Sequence, residues 1–107
     1  MALIDTTAKF IPAEMIEYSR HGIISRQIVR SSAGNVTLFS FGEGQALSEH
    51  SASFDGIIQI LEGVANVIID GKDNVLTAGE VIILPANVPH ALRAIKRFKM
   101  ILTTIKI

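Results

Sequence analysis

A small all-β barrel closed by two antiparallel sheets is the fold that this 107-residue sequence predicts. Three observations predict it. Short apolar runs are punctuated by Gly, Asn, Asp and Pro at intervals of about 8–12 residues. No stretch sustains the 3.6-residue apolar period of a helix. The apolar share, 49%, is mostly aliphatic and contains no tryptophan, a composition that suits packed pleated strands. The length supports one domain, because a second core would need about 50 more residues.

The elements follow in order. The first strand is expected over Ile23–Arg30, ending at a Ser31–Asn35 turn with Gly34 as the turn residue. Val36–Phe41 is the second and stops at Gly42-Glu43-Gly44. Ile57–Leu61 is bounded by Gly56 and Gly63, and Val64–Asp70 runs into the hairpin signal Gly71-Lys72-Asp73. Val75–Thr77 is short, and Val81–Leu84 ends at Pro85. His90–Ile95 and Phe98–Ile107 complete the barrel, which spans residues 23–107. Residues 1–22 form an N-terminal arm or edge segment. Within it, Pro12–Glu17 reads as one helical turn or as a leading edge strand.

Several of these strands are apolar on both parities, as in Ile57, Ile58, Ile60 and Leu61 or Val81, Ile82, Ile83 and Leu84. A half-exposed strand alternates instead. Only one face of so small a barrel lines its interior, so the other needs separate cover. A homodimer is the cover we expect, and an exchanged N-terminal strand would also protect a sheet edge. The alternative is that residues 1–22 of the same chain cover that face.

Charge and composition narrow the function. Ten basic and ten acidic side chains cancel, so the whole chain offers no electrostatic footprint for nucleic acid or an anionic membrane. By segment the balance is uneven: +1 over residues 1–42, −6 over 43–80 and +5 over 81–107. Either strands from the last two segments lie side by side with compensating charges, or the basic tail forms a rim for an anionic ligand. With no cysteine, disulfides, thiolate metal sites and thiol nucleophiles are excluded. No leader pattern opens the sequence, and no run approaches the ~20 apolar residues of a membrane span. A small soluble protein of the cytoplasm is expected.

Candidate chemistry rests on histidine. His21, in Arg20-His21-Gly22, reads as a solvated turn residue. His50 and His90 stand at loop-to-strand transitions, where a rigid scaffold can aim a side chain into a cavity mouth. Gly42-Glu43-Gly44 lacks the strand-to-helix context of a phosphate loop. Ser48, Ser51 and Ser53 have no evident carboxylate to orient a triad with His50.

Around these two histidines the sequence resembles the cupin superfamily. The first cupin motif, glycine, five residues, His-x-His, three or four residues, Glu, six residues, glycine, maps onto Gly44, His50, Ala52, Gly56 and Gly63. The second, glycine, five residues, Pro-x-Gly, two residues, His, three residues, Asn, maps onto Gly79, Pro85, Asn87, His90 and Ala94. The spacing agrees throughout over residues 36–105. The resemblance implies a double-sheet jelly roll and a metal site on the two histidines and glutamate of the first motif plus the histidine of the second. Here Ala52 and Gly56 occupy two of those four positions, leaving His50 and His90.

Imidazole suits divalent Fe, Ni, Mn or Zn, and three protein ligands are the usual minimum for a catalytic centre. A third would have to be Asp55, Gln59 or water, and strand parity turns both side chains away from the face of Gly56. A divalent metal and no metal at all both remain open as cofactor readings. Parity also assigns a ligand pocket. With Arg93 and Lys99 outward, Leu92, Phe98, Met100 and Leu102 face inward beside the space left by Ala52 and Gly56. We expect a barrel that takes up a small molecule through a depleted two-histidine site and acts as a sensor or carrier. The alternative is a metal-dependent enzyme of the dioxygenase or isomerase type using His50 and His90. Without a metal, His90 would be its acid or base.

Overall fold

Strand pairing is organised around two long strands. Among residues 8–106, which the computed structural model describes, seven strands follow one 3-10 turn at Pro12–Glu14. They are β1 (Ile23–Ser31), β2 (Gly34–Phe41), β3 (Ala46–His50), β4 (Asp55–Ile69), β5 (Lys72–Thr77), β6 (Val81–Leu84) and β7 (His90–Ile105). The fold is the expected all-β roll. β4 and β7 pair antiparallel along most of their length and belong to both sheets. One sheet runs β1-β2-β7-β4-β6, and the other runs β3-β7-β4-β5.

The sequence places breaks at Gly63 and at Lys96-Arg97, yet both strands continue through. The register shifts between Ile60 and Ala65 instead, so that extra residues bulge while pairing resumes on either side. Gly63 makes the bend possible. Its φ is +86°, and a Cβ there would lie 2.0 Å from the Arg97 carbonyl oxygen and 2.6 Å from Phe98 Cα. No larger residue fits at that position. The bend folds each long strand over, so its two ends face one another across the barrel mouth. β3 is a further strand that its sequence does not announce. Ala-Leu-Ser-Glu-His has no β-branched residue, and pairing with the start of β7 holds it extended.

Two apolar clusters result. Inside the roll lie Phe41, Ile58, Ile60, Ala65, Val67, Leu76, Leu84, Leu92, Ala94, Phe98 and Met100, with Phe41 stacked on Phe98 at 4.5 Å between centroids. On the outer face of the first sheet, Ile28 and Leu38 are buried under Ile16, with Met15, Leu61 and Ile101 packed around them. The arm is held there by polar contacts. Ser40 Oγ donates to the Glu17 carbonyl (2.7 Å), Arg26 Nη1 to that of Met15 (2.8 Å) and Lys99 Nζ to that of Ala13 (2.6 Å). Tyr18 donates its hydroxyl to Glu62 (2.6 Å) under the Arg97 guanidinium, 4.4 Å from the ring centre. Burial, then the Glu62 carboxylate, pushes the Tyr18 pKa well above the usual phenol range, so it stays a donor.

Residues of the arm thus cover the bend end of the outer face from within the chain. Toward the mouth the same face stays bare, with Ile83 58% and Val29 38% exposed. The acidic middle and the basic tail meet side by side where β4 pairs with β7. Glu62 faces Lys99 across that pairing, and its Oε1 lies 4.0 Å from Nζ.

Candidate functional site

The two histidines meet at the mouth because two loops are stitched together. The Asn87 N–H donates to the Ala52 carbonyl (2.6 Å), and the Ala86 N–H donates to Asp55 Oδ1 (2.8 Å). Asn87 adopts φ +65°, a left-handed turn that asparagine tolerates. His50 closes β3, His90 opens β7, and the two are paired in register. His90 is 6% exposed and His50 faces solvent.

Their tautomers follow from their neighbours. His50 Nδ1 lies 2.7 Å from the Ser48 carbonyl oxygen, and His90 Nδ1 lies 3.2 Å from that of Val88. A carbonyl can only accept, so each Nδ1 carries the hydrogen. In the neutral rings both Nε2 atoms are then lone-pair acceptors, and they face one another at 3.2 Å. Such a contact is favourable only when a donor, a proton or a cation lies between or beside them. Burial is the largest cause holding the His90 pKa below its ordinary value; the hydrogen bond to the Val88 carbonyl opposes it, and the neighbouring His50 adds a smaller lowering. His90 is therefore a neutral acceptor near pH 7.

The Nε2 separation suits two adjacent ligands on one ion at the usual metal–nitrogen distance of about 2.0–2.1 Å. The rest of the ligand set does not follow. Ala52 and Gly56 carry no ligating atom. Asp55 is exposed and its Oδ1 is taken by Ala86. Gln59 is exposed on the strand face opposite Ile58 and Ile60, which are buried. Among the described residues no three His, Cys, Asp or Glu side chains converge. The residues present do not make a three-ligand centre.

What they do line is a cavity of about 260 Å³, walled by His50, Ala52, Phe54, Gly56, Leu84, His90, Leu102 and Thr104. Of the pocket residues expected from parity, Ala52, Gly56 and Leu102 are there. Leu92, Phe98 and Met100 point inward as expected but lie in the packed core instead. Phe54, Leu84 and Thr104 join the wall without having been expected. Period-two spacing from Ala52 reaches Phe54 and from Leu102 reaches Thr104, so these two were within reach of the sequence. Leu84 needed the pairing of Gly56 with β6. A Cβ at Gly56 would meet Leu102 Cδ1 at 3.4 Å and Leu84 at 3.6 Å. The missing side chain there is part of the space.

The family model for the cupin domain matches residues 37–105. The chain belongs to the cupin family. It is similar to a conserved protein of unknown function from Streptococcus pyogenes, with 30% identity over 97% of this chain and 91% of that one, at a TM-score of 0.92. A cupin superfamily protein from Desulfitobacterium hafniense is 31% identical over 91% of this chain and 90% of its own, at a TM-score of 0.86. The salicylate 1,2-dioxygenase of Pseudaminobacter salicylatoxidans shares the fold at 18% identity and a TM-score of 0.74, over 78% of this cupin and 26% of the dioxygenase. No curated protein matches this cupin.

Proposed function

We propose that this cupin binds a small, largely apolar molecule in the mouth cavity and acts as a sensor or carrier. The polar end of the molecule would be held by the two Nε2 acceptors of His50 and His90. The observation that carries the reading is the pair of Nε2 atoms, 3.2 Å apart, opening on an apolar chamber from which two ligating side chains are missing. An apolar cavity with a few convergent polar groups is the usual form of a small-molecule site. The same neutral His90 is a competent base, so proton transfer on a bound molecule is compatible with this site. The second reading, a metal-dependent dioxygenase or isomerase, draws on the ligand-like Nε2 spacing but lacks a third protein ligand. Pairing of two copies through the bare outer face belongs to the same proposal.

The test uses phenol, an apolar ring with one donor, and the chloride salts of Ni, Mn, Zn and ferrous Fe, each titrated calorimetrically. Phenol should bind saturably and about fivefold more weakly in His90→Ala, the loss of one net hydrogen bond. None of the metals should bind tightly at one per chain. Stoichiometric tight metal that His50→Ala and His90→Ala both lose would overturn the reading in favour of the metal centre.

A further inference from the structure

Beyond the histidines, the cavity wall holds one other polar side chain. Thr104 stands near the far end of β7 from His90, and the bend in the long strands brings both to one chamber. Its register neighbours are Gly56 on β4 and Asn35 on β2. The Asn35 N–H donates to Thr104 Oγ1 at 3.2 Å. That bond uses a lone pair of the hydroxyl and leaves its hydrogen free to donate. Asn35 Oδ1 is buried with no partner, so it does not receive that hydrogen. Among the described residues no hydrogen bond has this hydroxyl as its donor.

The chamber therefore has two unlike poles. One is a pair of acceptors, the Nε2 atoms. The other is a single hydroxyl donor on the opposite sheet. The rest of the wall is Ala52, Phe54, Gly56, Leu84 and Leu102. A ligand that leaves either pole unmatched gives up a bond that water would have made. We infer that the ligand is a small hydroxy-carbonyl compound, with its hydroxyl directed to the histidine pair and its carbonyl oxygen to Thr104. Thr104 is then the residue that separates such a compound from a plain alcohol of the same size. This inference rests on the proposed binding function and adds the substrate class.

The experiment compares 3- and 4-hydroxyacetophenone with phenol and acetophenone, by calorimetry or ligand-observed NMR. At least one hydroxyacetophenone should bind about fivefold more tightly than either parent, one net hydrogen bond's worth. Thr104→Val should lower the affinity for that isomer about fivefold more than it lowers the affinity for phenol, and Thr104→Ser should restore the difference. Circular dichroism and phenol binding report whether the valine variant keeps its cavity. Two results would overturn the inference while sparing the binding function: hydroxyacetophenones no tighter than a phenol that binds with His90 dependence, or equal losses for both ligands in Thr104→Val. Absence of His90-dependent phenol binding would sink the underlying reading and this inference together.

Discussion

At the scale of single residues, chemistry at the mouth is set by what each side chain's backbone neighbour can accept. The Ser48 and Val88 carbonyls choose the histidine tautomers, and that choice makes the pair an acceptor rather than a donor. A pH dependence follows. Burial lowers the His90 pKa below its ordinary value of 6.5, so between those two values the unfolded chain binds a proton that folded His90 refuses. The stability this group contributes is full above the unfolded value and is lost as pH falls from there toward the lower folded value. Denaturant midpoints at about pH 7.5 and about pH 5.5 should therefore fall further in the parent than in His90→Gln. Equal falls would show that His90 is not the group responsible. The identities of both histidines were legible, because their motif spacing is a one-dimensional property. Thr104 was not singled out, since a threonine in a strand is ordinary until the fold places it in a cavity wall.

At the scale of elements, continuity is where local signals and packing disagreed. Gly63 and the Lys96-Arg97 pair read as strand ends, but a bulge absorbs the interruption at less cost than ending two central strands whose backbone groups would need new partners. β3 shows the converse, a strand made by its neighbour rather than by its own propensity. The arm was legible as a segment but not in its role. Ile16, buried against Ile28 and Leu38, covers part of the face for which the sequence suggests a second subunit. Truncating it tests that contact. Ile16→Ala should cost about 2–3 kcal/mol and lower the melting temperature by roughly 10 °C or more for a chain of this size. An unchanged melting temperature would mean that the arm does not pack there.

At the scale of the whole molecule, zero net charge conceals an arrangement. The acidic middle and the basic tail meet where β4 pairs with β7, and there the Glu62–Lys99 contact and the cation stacked on Tyr18 lie at the bend end. One base of the tail does stand by the mouth: Lys106 Nζ lies 5.8 Å from the ring centre of Phe54, a cavity-wall residue. The remaining asymmetry is apolar. One register row of the outer face, Ile83, Ile57, Thr103, Val36 and Val29, crosses all five strands of the first sheet with the arm covering only the neighbouring ground. An apolar stripe of this kind usually has a partner. Light scattering should give about twice the chain mass of 11.6 kDa, and Ile83→Lys should shift it toward the monomer. A monomer at every concentration would remove the dimer from the proposal.

The sequence by itself determined the fold class, the family and the two histidines, because strand period, turn residues and motif spacing are all carried along the chain. It also determined which ligand positions lack a ligating atom, since Ala52 and Gly56 are visible as letters. Only the tertiary structure decided which residues wall the cavity, where its polar side chains stand and which part of the outer face the arm covers. Those depend on the bend at Gly63, which brings opposite ends of β7 together, and proximity across a fold is not encoded in separation along a chain.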